Sequence, residues 1–337
     1  MSLTKSRAVH LITRPEGMPT AENFSIVESD LPEPNDGEVL VQNLYMSVDP
    51  YMRGRMREGK SYAEPYKLGV PMYGGAIGKV VESKDDSLAV GDIVTNQRAW
   101  SDNFVAAANT VVKLVPYDMD KLSSYLGTLG MPGLTAYVGL LKLTEPQAGE
   151  TVFVSAASGA VGATVCQIAK IKGCRVVGSV GSDEKANWLT QQCGVDAVIN
   201  YKTCGDLAAA LAEAAPEGID IYFENVGGDH LQAAIDCFNA HGRIAACGMI
   251  QTYNDASPAP GPNNLMQIVG KKLRIQGFIV SDHFDMMPQF RTDMTQWIQQ
   301  GKLQTRETVV EGLDNAVEAF LGLFSGKNFG KMIVKLS

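Results

Sequence analysis

The pattern of hydrophobic and polar positions divides the chain into a strand-rich first third and a longer region in which strands alternate with helices. Up to about residue 118, short apolar runs rich in β-branched residues are separated by turn clusters such as PEPNDG at 32–37. From Met119 the apolar spacing becomes helical, and strand-length runs then alternate with amphipathic stretches as far as about Gly301. A last strand, helix and strand form a tail that is too short to fold alone, so we expect it to pack on the first part of the chain.

Individual strands can be predicted from the apolar runs. In the first part they are RAVHLI, FSIVESDL, EVLVQNLYMSV, AIGKVVES, DIVTNQ and NFVAAANTVVKLV, and in the second part TVFVSA, CRVVGSV, DAVIN, IDIYFENV, GRIAACG and LRIQGFIV. Alternation of strands and helices predicts a parallel, doubly wound α/β sheet, because a parallel neighbour requires a crossover connection. We predict one domain from residues 1–128 with 302–337, and a second from residues 129–301.

Length and composition narrow the class of protein. With 337 residues and 45% hydrophobic residues, the chain is long enough for two globular domains and too apolar to be disordered. Its net charge of -8 argues against a nucleic acid partner. No apolar run has the length of a membrane span, and the first residues do not resemble a signal peptide. The six cysteines include no C-x-x-C pair, and we predict a cytoplasmic protein without a disulfide framework.

A glycine-containing turn gives the strongest local signal. The segment TVFVSAASGAVGATVCQIAK predicts a strand, the turn from Ala157 to Gly162, and a helix. It matches the dinucleotide fingerprint G-x-G-x-x-G at Gly159 and Gly162, with Ala157 in the first position. The helix start would offer free N–H groups and a positive dipole end to a pyrophosphate.

The end of the next strand bears on the choice between NAD and NADP. An NAD site usually has a carboxylate about 20 residues beyond the glycines, but here Gly178, Ser179 and Val180 occupy that place. The following Ser182 and Lys185 suit a 2′-phosphate, so NADPH is the predicted cofactor. The alternative for Lys185 is an ordinary solvated lysine at a helix start.

No metal site is predicted. The first domain has no cysteine and a single histidine, His10, whereas a catalytic zinc needs about three ligands. Hydride chemistry without a metal would have to be assisted by hydrogen bonds and by the cofactor.

Together, these motifs resemble a known family. The glycine turn after a β-rich domain resembles the medium-chain dehydrogenase/reductase superfamily. More narrowly, SVDPYMRGRM, GMPGLTAY, VSAASGAVGATV, GSDEK, INYKT, YFENVGG, CGMIQTYN, GFIV and KNFGKMIV are similar to its zinc-free branch of prostaglandin and leukotriene reductases, plant alkenal double-bond reductases and bacterial curcumin reductase. The resemblance, from about Arg7 to Val334, implies a Rossmann domain and a GroES-like β-rich catalytic domain. It also implies NADPH-dependent reduction of the carbon–carbon double bond of α,β-unsaturated aldehydes and ketones.

The resemblance further implies roles for individual residues. The pyrophosphate would meet Gly159, Ala160, Val161 and Gly162, and the 2′-phosphate Lys185 and Tyr201, with Ser182 as a helper. The ribose and nicotinamide side would meet Asn225, Cys247, Gly248, Tyr253, Phe278, Ile279, Val280, Asn328 and Met131. For Cys247 and Met131, the alternative is a purely structural place in the core. A homodimer through the edge strand LRIQGFIV is also implied.

For catalysis, the substrate carbonyl gains negative charge as hydride reaches the β-carbon, so a hydrogen-bond donor is needed. Tyr253 and Tyr51 are the candidates that the family motifs offer, with Tyr253 preferred. The α-carbon proton would come from water, and a ribose hydroxyl polarised by Tyr253 is an alternative donor to the carbonyl. Two other functions stay open: a zinc-free NADPH:quinone oxidoreductase, and a non-catalytic NADPH-binding protein of the crystallin type.

Overall fold

The computed structural model describes residues 3–257 and 260–337. The chain folds as two compact units. The first comprises residues 1–126, 307–328 and 332–337, and the second comprises 127–306 and 329–331. The predicted domain limits, 1–128 with 302–337 and 129–301, stay a prediction. The compact units differ from these limits in that residues 127–128, 302–306 and 329–331 belong to the second unit.

The strands and helices are numbered in chain order. The strands are β1 Lys5–Leu11, β2 Phe24–Asp30, β3 Glu38–Ser47, β4 Ala76–Ser83, β5 Ile93–Asn96, β6 Asn103–Ala107, β7 Val112–Lys113, β8 Thr151–Val154, β9 Arg175–Val180, β10 Ala197–Asn200, β11 Ile219–Glu224, β12 Phe238–Ala246, β13 Arg274–Gly277, β14 Glu307–Glu311 and β15 Lys331–Lys335. The α-helices are α1 Met131–Tyr137, α2 Ala160–Ile171, α3 Asp183–Gln192, α4 Leu207–Ala214, α5 Gly228–Cys237, α6 Met266–Lys271, α7 Met287–Gln299 and α8 Ala316–Gly322. A π-helical turn, Val138–Thr144, continues α1.

The first unit is built from antiparallel sheets. Strands β1 and β2 pair with each other, and a seven-stranded sheet has the order β14-β15-β3-β4-β5-β7, with β6 also paired to β3. In its core, the α8 residue Phe320 packs edge to face against Trp100 and Phe24. The end of the chain therefore completes both the sheet and the core of this unit.

The second unit is a six-stranded parallel sheet in the order β10-β9-β8-β11-β12-β13, which confirms the predicted Rossmann fold. Every residue of β8 is buried, as expected for a central parallel strand covered on both faces. The order reverses between β8 and β11, and the carboxyl ends of such strands form the usual binding edge of the fold.

Several element limits differ from the sequence prediction. The run NFVAAANTVVKLV is divided into β6 and β7 by a 3-10 turn, Ala108–Thr110. Strand β12 begins at Phe238, before the predicted run GRIAACG, because α5 already ends at Cys237. Strand β13 ends at Gly277, and a 3-10 helix starts at Val280. None of the helices in the described residues is both long and apolar enough to span a membrane.

Candidate functional site

The turn between β8 and α2 is a close-packed bend of small residues. Ala156 has a φ of 47°, and its carbonyl accepts the N–H of Gly159 at 2.9 Å. A Cβ added to Gly162 would lie 2.4 Å from that carbonyl oxygen, so only glycine fits there. A Cβ on Gly178 of β9 would lie 2.8 Å from the Cβ of Ala157. The neighbouring strand thus provides the space for alanine in the first position of the fingerprint.

Helix α2 starts directly after this bend, with Gly159 as its N-cap residue. Ala160 and Val161 occupy its first turn, whose N–H groups have no partner within the helix by construction. The positive end of the helix dipole and these donors favour a bound anion.

A short returning segment, residues 329–331, lies against the same turn. Gly330 donates its N–H to the carbonyl of Ser158 at 2.9 Å and has a φ of 64°. The guanidinium of Arg306 lies 3.6 Å from the ring centre of Phe329 and 5.7 Å from that of Trp188. These cation–π contacts, with the hydrogen bond, hold the segment beside the glycine turn.

The ends of β9 and β10 bring together the residues predicted for the 2′-phosphate. Ser182 caps α3, and its hydroxyl accepts the N–H of Lys185 at 3.4 Å. The hydroxyl of Tyr201 lies over Gly181, 2.8 Å from the position a Cβ would take. Asp183, in the first turn of α3, accepts from the side-chain amide of Asn200 at 2.7 Å, so this carboxylate is engaged within the protein.

A buried carboxyl group organises the loop after β11. Glu224 is completely buried, and its Oε1 accepts from Tyr222 at 2.7 Å, Ser155 at 3.3 Å, and the N–H groups of Val226 at 2.6 Å and Gly227 at 2.8 Å. Burial raises the pKa of Glu224 above its ordinary value, although these hydrogen bonds act to lower it. Glu224 is not among the residues predicted from the sequence, where its only signal is an acid that ends the apolar strand IDIYFE.

Asn225, the next residue, is held by the same serine. Its side-chain amide donates to the carbonyl of Ser155 at 2.8 Å, and its N–H donates to the Ser155 hydroxyl at 3.0 Å. The carbonyl of Asn225 accepts the N–H of Ile250 at 3.1 Å. The loops after β8, β11 and β12 are therefore joined by hydrogen bonds.

The loop after β12 carries Cys247, Gly248 and Tyr253. The Glu224 carbonyl accepts the N–H groups of Cys247 and Gly248, both at 3.0 Å. The Tyr253 hydroxyl accepts the N–H of Met249 at 3.4 Å, and a Cβ on Gly248 would lie 2.8 Å from that hydroxyl. Burial raises the pKa of the Cys247 thiol to about 12, so it is a neutral thiol at physiological pH.

The other predicted nicotinamide residues lie on two separate elements. Met131 begins α1, and its sulfur accepts from the Thr135 hydroxyl at 3.6 Å. Phe278 follows β13 and packs edge to face on Phe223 with 6.5 Å between ring centres. A Cβ on Gly139 would lie 2.8 Å from the Phe278 ring, so the lack of a side chain at Gly139 allows this ring to pack close to the helix. Ile279 and Val280 follow Phe278 and are partly buried.

Tyr51 and Asn328 belong to the first unit. Tyr51 lies in a 3-10 helix, Pro50–Met56, and the Arg55 guanidinium is 4.7 Å from its ring centre and equally far from that of Tyr73. Burial, with the charge of Asp49, raises the pKa of Tyr51 above its ordinary value, so its hydroxyl is protonated at neutral pH.

We searched the described residues for metal ligands. No three His, Cys, Asp or Glu side chains in 3–257 and 260–337 are grouped as a metal site would require. Chemistry without a metal stays a prediction, which rests on the small number of Cys and His residues in the first domain.

Comparisons with known proteins agree with this architecture. Residues 7–114 match the model of the N-terminal domain of oxidoreductase, and residues 160–300 match that of zinc-binding dehydrogenase. The chain is 42% identical to the NADPH-dependent curcumin reductase of Escherichia coli, over 99% of this chain and 97% of the relative. It is 46% identical to prostaglandin reductase 1 of Bos taurus, over 95% of each. The crystal structure of CurA with NADPH from Vibrio vulnificus matches with a TM-score of 0.93 and 43% identity, over 98% of this chain and 99% of that one. The chain belongs to the zinc-free branch of the medium-chain dehydrogenase/reductase superfamily.

Proposed function

We propose that the protein reduces the carbon–carbon double bond of α,β-unsaturated ketones and aldehydes with NADPH. The observation that carries this proposal is the edge of the parallel sheet, where the glycine turn and the Tyr253 loop are joined through Ser155 and Asn225. The same set of hydrogen bonds therefore supports both the start of α2, which would bind the nucleotide, and the loop that carries the Tyr253 phenol. When bound, NADPH supplies the hydride that reaches the β-carbon of the substrate.

The protein residues act on the cofactor and on the carbonyl oxygen. Ala160, Val161 and Gly162 offer backbone donors to the pyrophosphate, and Gly159, whose own N–H is donated to Ala156, meets it without a side chain. Ser182, Lys185 and Tyr201 bind the 2′-phosphate in this proposal. Asn225, Cys247, Gly248, Met131, Phe278, Ile279, Val280 and Asn328 border the ribose and nicotinamide in this proposal. The neutral Cys247 thiol adds an apolar surface and no charge there.

Tyr253 is the proposed donor to the enolate oxygen. Its hydroxyl oxygen accepts a hydrogen bond from Met249, which orients the phenol and makes its own proton a better donor. One donor of this kind stabilises a developing oxyanion by about 3 kcal/mol. The proton on the α-carbon then comes from water. Tyr51, half-buried and protonated under Arg55, is a second helper.

The first test is NADPH oxidation with a linear 2-alkenal, an aryl enone, a 15-oxo lipid enone and a quinone, with NADH in parallel. Turnover of the enal or enones with NADPH is expected. Turnover of the quinone alone would instead establish a quinone oxidoreductase, and NADPH binding without any turnover would establish a binding protein.

A second test addresses the donor. Tyr253→Phe should lower kcat by about a hundredfold, with the Kd for NADPH unchanged. Tyr117→Phe, which removes a hydroxyl from the first unit, is the matched control and should keep full activity. Full turnover by Tyr253→Phe would exclude the phenol from catalysis.

The proposed assembly is a homodimer through β13. This strand ends the sheet order, and its neighbour α6 buries none of its residues. Met266 and Val269 of α6 are 81% and 75% exposed, and Ile275 of β13 is 42% exposed. An exposed apolar edge favours pairing with a second copy. Val269→Glu should convert a dimer to a monomer in light scattering, whereas a monomeric native protein would refute the proposal.

The proposed location is the cytoplasm. All six cysteines are free thiols in the structure, as a reducing compartment requires. Fractionation of the source cells, followed by immunodetection, tests this location.

A further inference from the structure

Two lysines come together where β9 and β10 end. A Cβ placed on Gly181, directly after β9, would lie 3.2 Å from Cε of Lys202 and 2.8 Å from the Tyr201 hydroxyl. Lys202 follows β10, which pairs with β9 in parallel, so both strands deliver their next residues to the same edge. The phenol and the end of the Lys202 side chain therefore cover the same piece of backbone at the start of α3.

The charge of Lys202 acts on Lys185. Lys185 is half-buried in the first turn of α3, and burial and then the positive charge of Lys202 lower its pKa, against a smaller opposite effect of Glu184. Two like charges that influence each other in this way repel, and an anion held by both removes that repulsion. A dianionic phosphate monoester fits this requirement better than a neutral ribose hydroxyl does.

The Tyr201 ring packs against a second aromatic ring. The ring of His230, in the first turn of α5, packs edge to face on the Tyr201 ring with 5.2 Å between centres. Burial lowers the pKa of His230 to about 4, so the ring is neutral at physiological pH. It fixes the direction of Tyr201 and adds no charge to the site.

We propose that Lys202 is a specificity-determining residue, whose ammonium group joins Lys185 and Tyr201 around the 2′-phosphate of NADPH. The inference rests on the NADPH dependence of the proposed function and extends it to a residue outside the predicted site. Lys202 sets the preference for NADPH over NADH, because only NADPH carries the phosphate that both lysines bind.

The test compares two nucleotides that differ in this phosphate. Titration calorimetry on the full chain measures Kd for 2′,5′-ADP and for 5′-AMP. Lys202→Gln should weaken binding of 2′,5′-ADP about tenfold or more and leave 5′-AMP unchanged. Lys202→Arg should keep most of the selectivity, and Lys302→Gln, which removes the same charge from an exposed position after α7, should bind both nucleotides as the native chain does.

The outcomes separate this inference from the proposed function. Native binding of 2′,5′-ADP by Lys202→Gln would overturn it, and so would an equal loss for both nucleotides, which would indicate a general disturbance of the site. If the native chain selects 2′,5′-ADP through Lys202 but reduces no enal or enone, the inference stands and the proposed function fails.

Discussion

Replacing Glu224 tests whether one buried carboxyl group holds the loops of the cofactor site. In Glu224→Ala, the N–H groups of Val226 and Gly227 lose their acceptor, while Tyr222 and Ser155 keep the 2.9 Å hydrogen bond between their hydroxyls. Each buried donor left without a partner costs about 1–3 kcal/mol, so we expect a loss of roughly 2–6 kcal/mol in the free energy of unfolding. For a unit of this size the melting temperature falls by about 2–4 °C per kcal/mol.

Glu224→Gln provides the matched comparison. The amide oxygen can accept the same four hydrogen bonds, and the amide nitrogen replaces Oε2, which is buried with no hydrogen-bond partner among the described residues. We therefore expect Glu224→Gln to recover most of the stability lost in Glu224→Ala. Glu217→Gln, at an exposed position before β11, controls for the change of charge.

The pH dependence gives an independent readout. The pKa of Glu224 is raised by burial above its ordinary value near 4.5, so the folded protein binds the proton more tightly than the unfolded chain. This stabilisation is fully present below about pH 4.5 and is lost as the pH rises through the folded pKa. Glutamine does not titrate, and the stability of the native chain relative to Glu224→Gln should decrease as the pH is raised.

Thermal unfolding of the three variants between pH 4 and pH 8, together with the Kd for NADPH, tests this reasoning. Glu224→Ala should bind NADPH more weakly, because the loop that it loosens hydrogen-bonds through Asn225 to Ile250. The reasoning is refuted if Glu224→Ala is as stable as Glu224→Gln, or if the difference between Glu224→Gln and the native chain is independent of pH.

Three further predictions follow from local geometry. Gly162→Ala places a Cβ 2.4 Å from a backbone oxygen and should destabilise the protein by about 1–3 kcal/mol and weaken NADPH binding. The control Gly270→Ala in α6 meets no atom within 4 Å, so it should leave NADPH binding unchanged and raise the stability slightly, as alanine does inside a helix. Arg243→Ala removes a two-pronged contact to Glu150 at 2.8 and 2.6 Å and the hydrogen bond from Arg243 to the Thr144 carbonyl at 3.0 Å. Burial acts to raise the pKa of Glu150, but Arg243 and the N–H of Gln147 outweigh it and hold this pKa below its ordinary value. The stability lost in denaturant unfolding should therefore be largest above pH 4.5 and should shrink as the pH falls through the folded pKa, leaving the part due to the Thr144 hydrogen bond. With a pKa of about 12, Cys247 should resist iodoacetamide at pH 7.5 in the folded protein and react once the chain is unfolded in urea, as mass spectrometry of its peptide would show.

The sequence by itself determined the class of fold and the chemistry at the start of α2. Alternating strands and helices dictate a parallel sheet, since each crossover has to return to the same edge. The turn from Ala157 to Gly162 depends on neighbours in sequence, and its glycines can be recognised from spacing alone. The absence of an acid at Gly178 to Val180 indicated NADPH, and it too can be recognised from the spacing along the chain. These features are local, and local backbone geometry follows from residue type.

The tertiary structure alone decided which distant residues support those motifs. Gly178 makes room for Ala157 only because β8 and β9 are paired in a particular register. Lys202 approaches Gly181 because β10 lies beside β9, and Glu224 gathers donors from the ends of two strands because β8 and β11 are neighbours at the reversal of strand order. Strand order and register arise from the packing of the whole sheet, whose free energy is spread over many side chains, and no single segment of sequence contains that information.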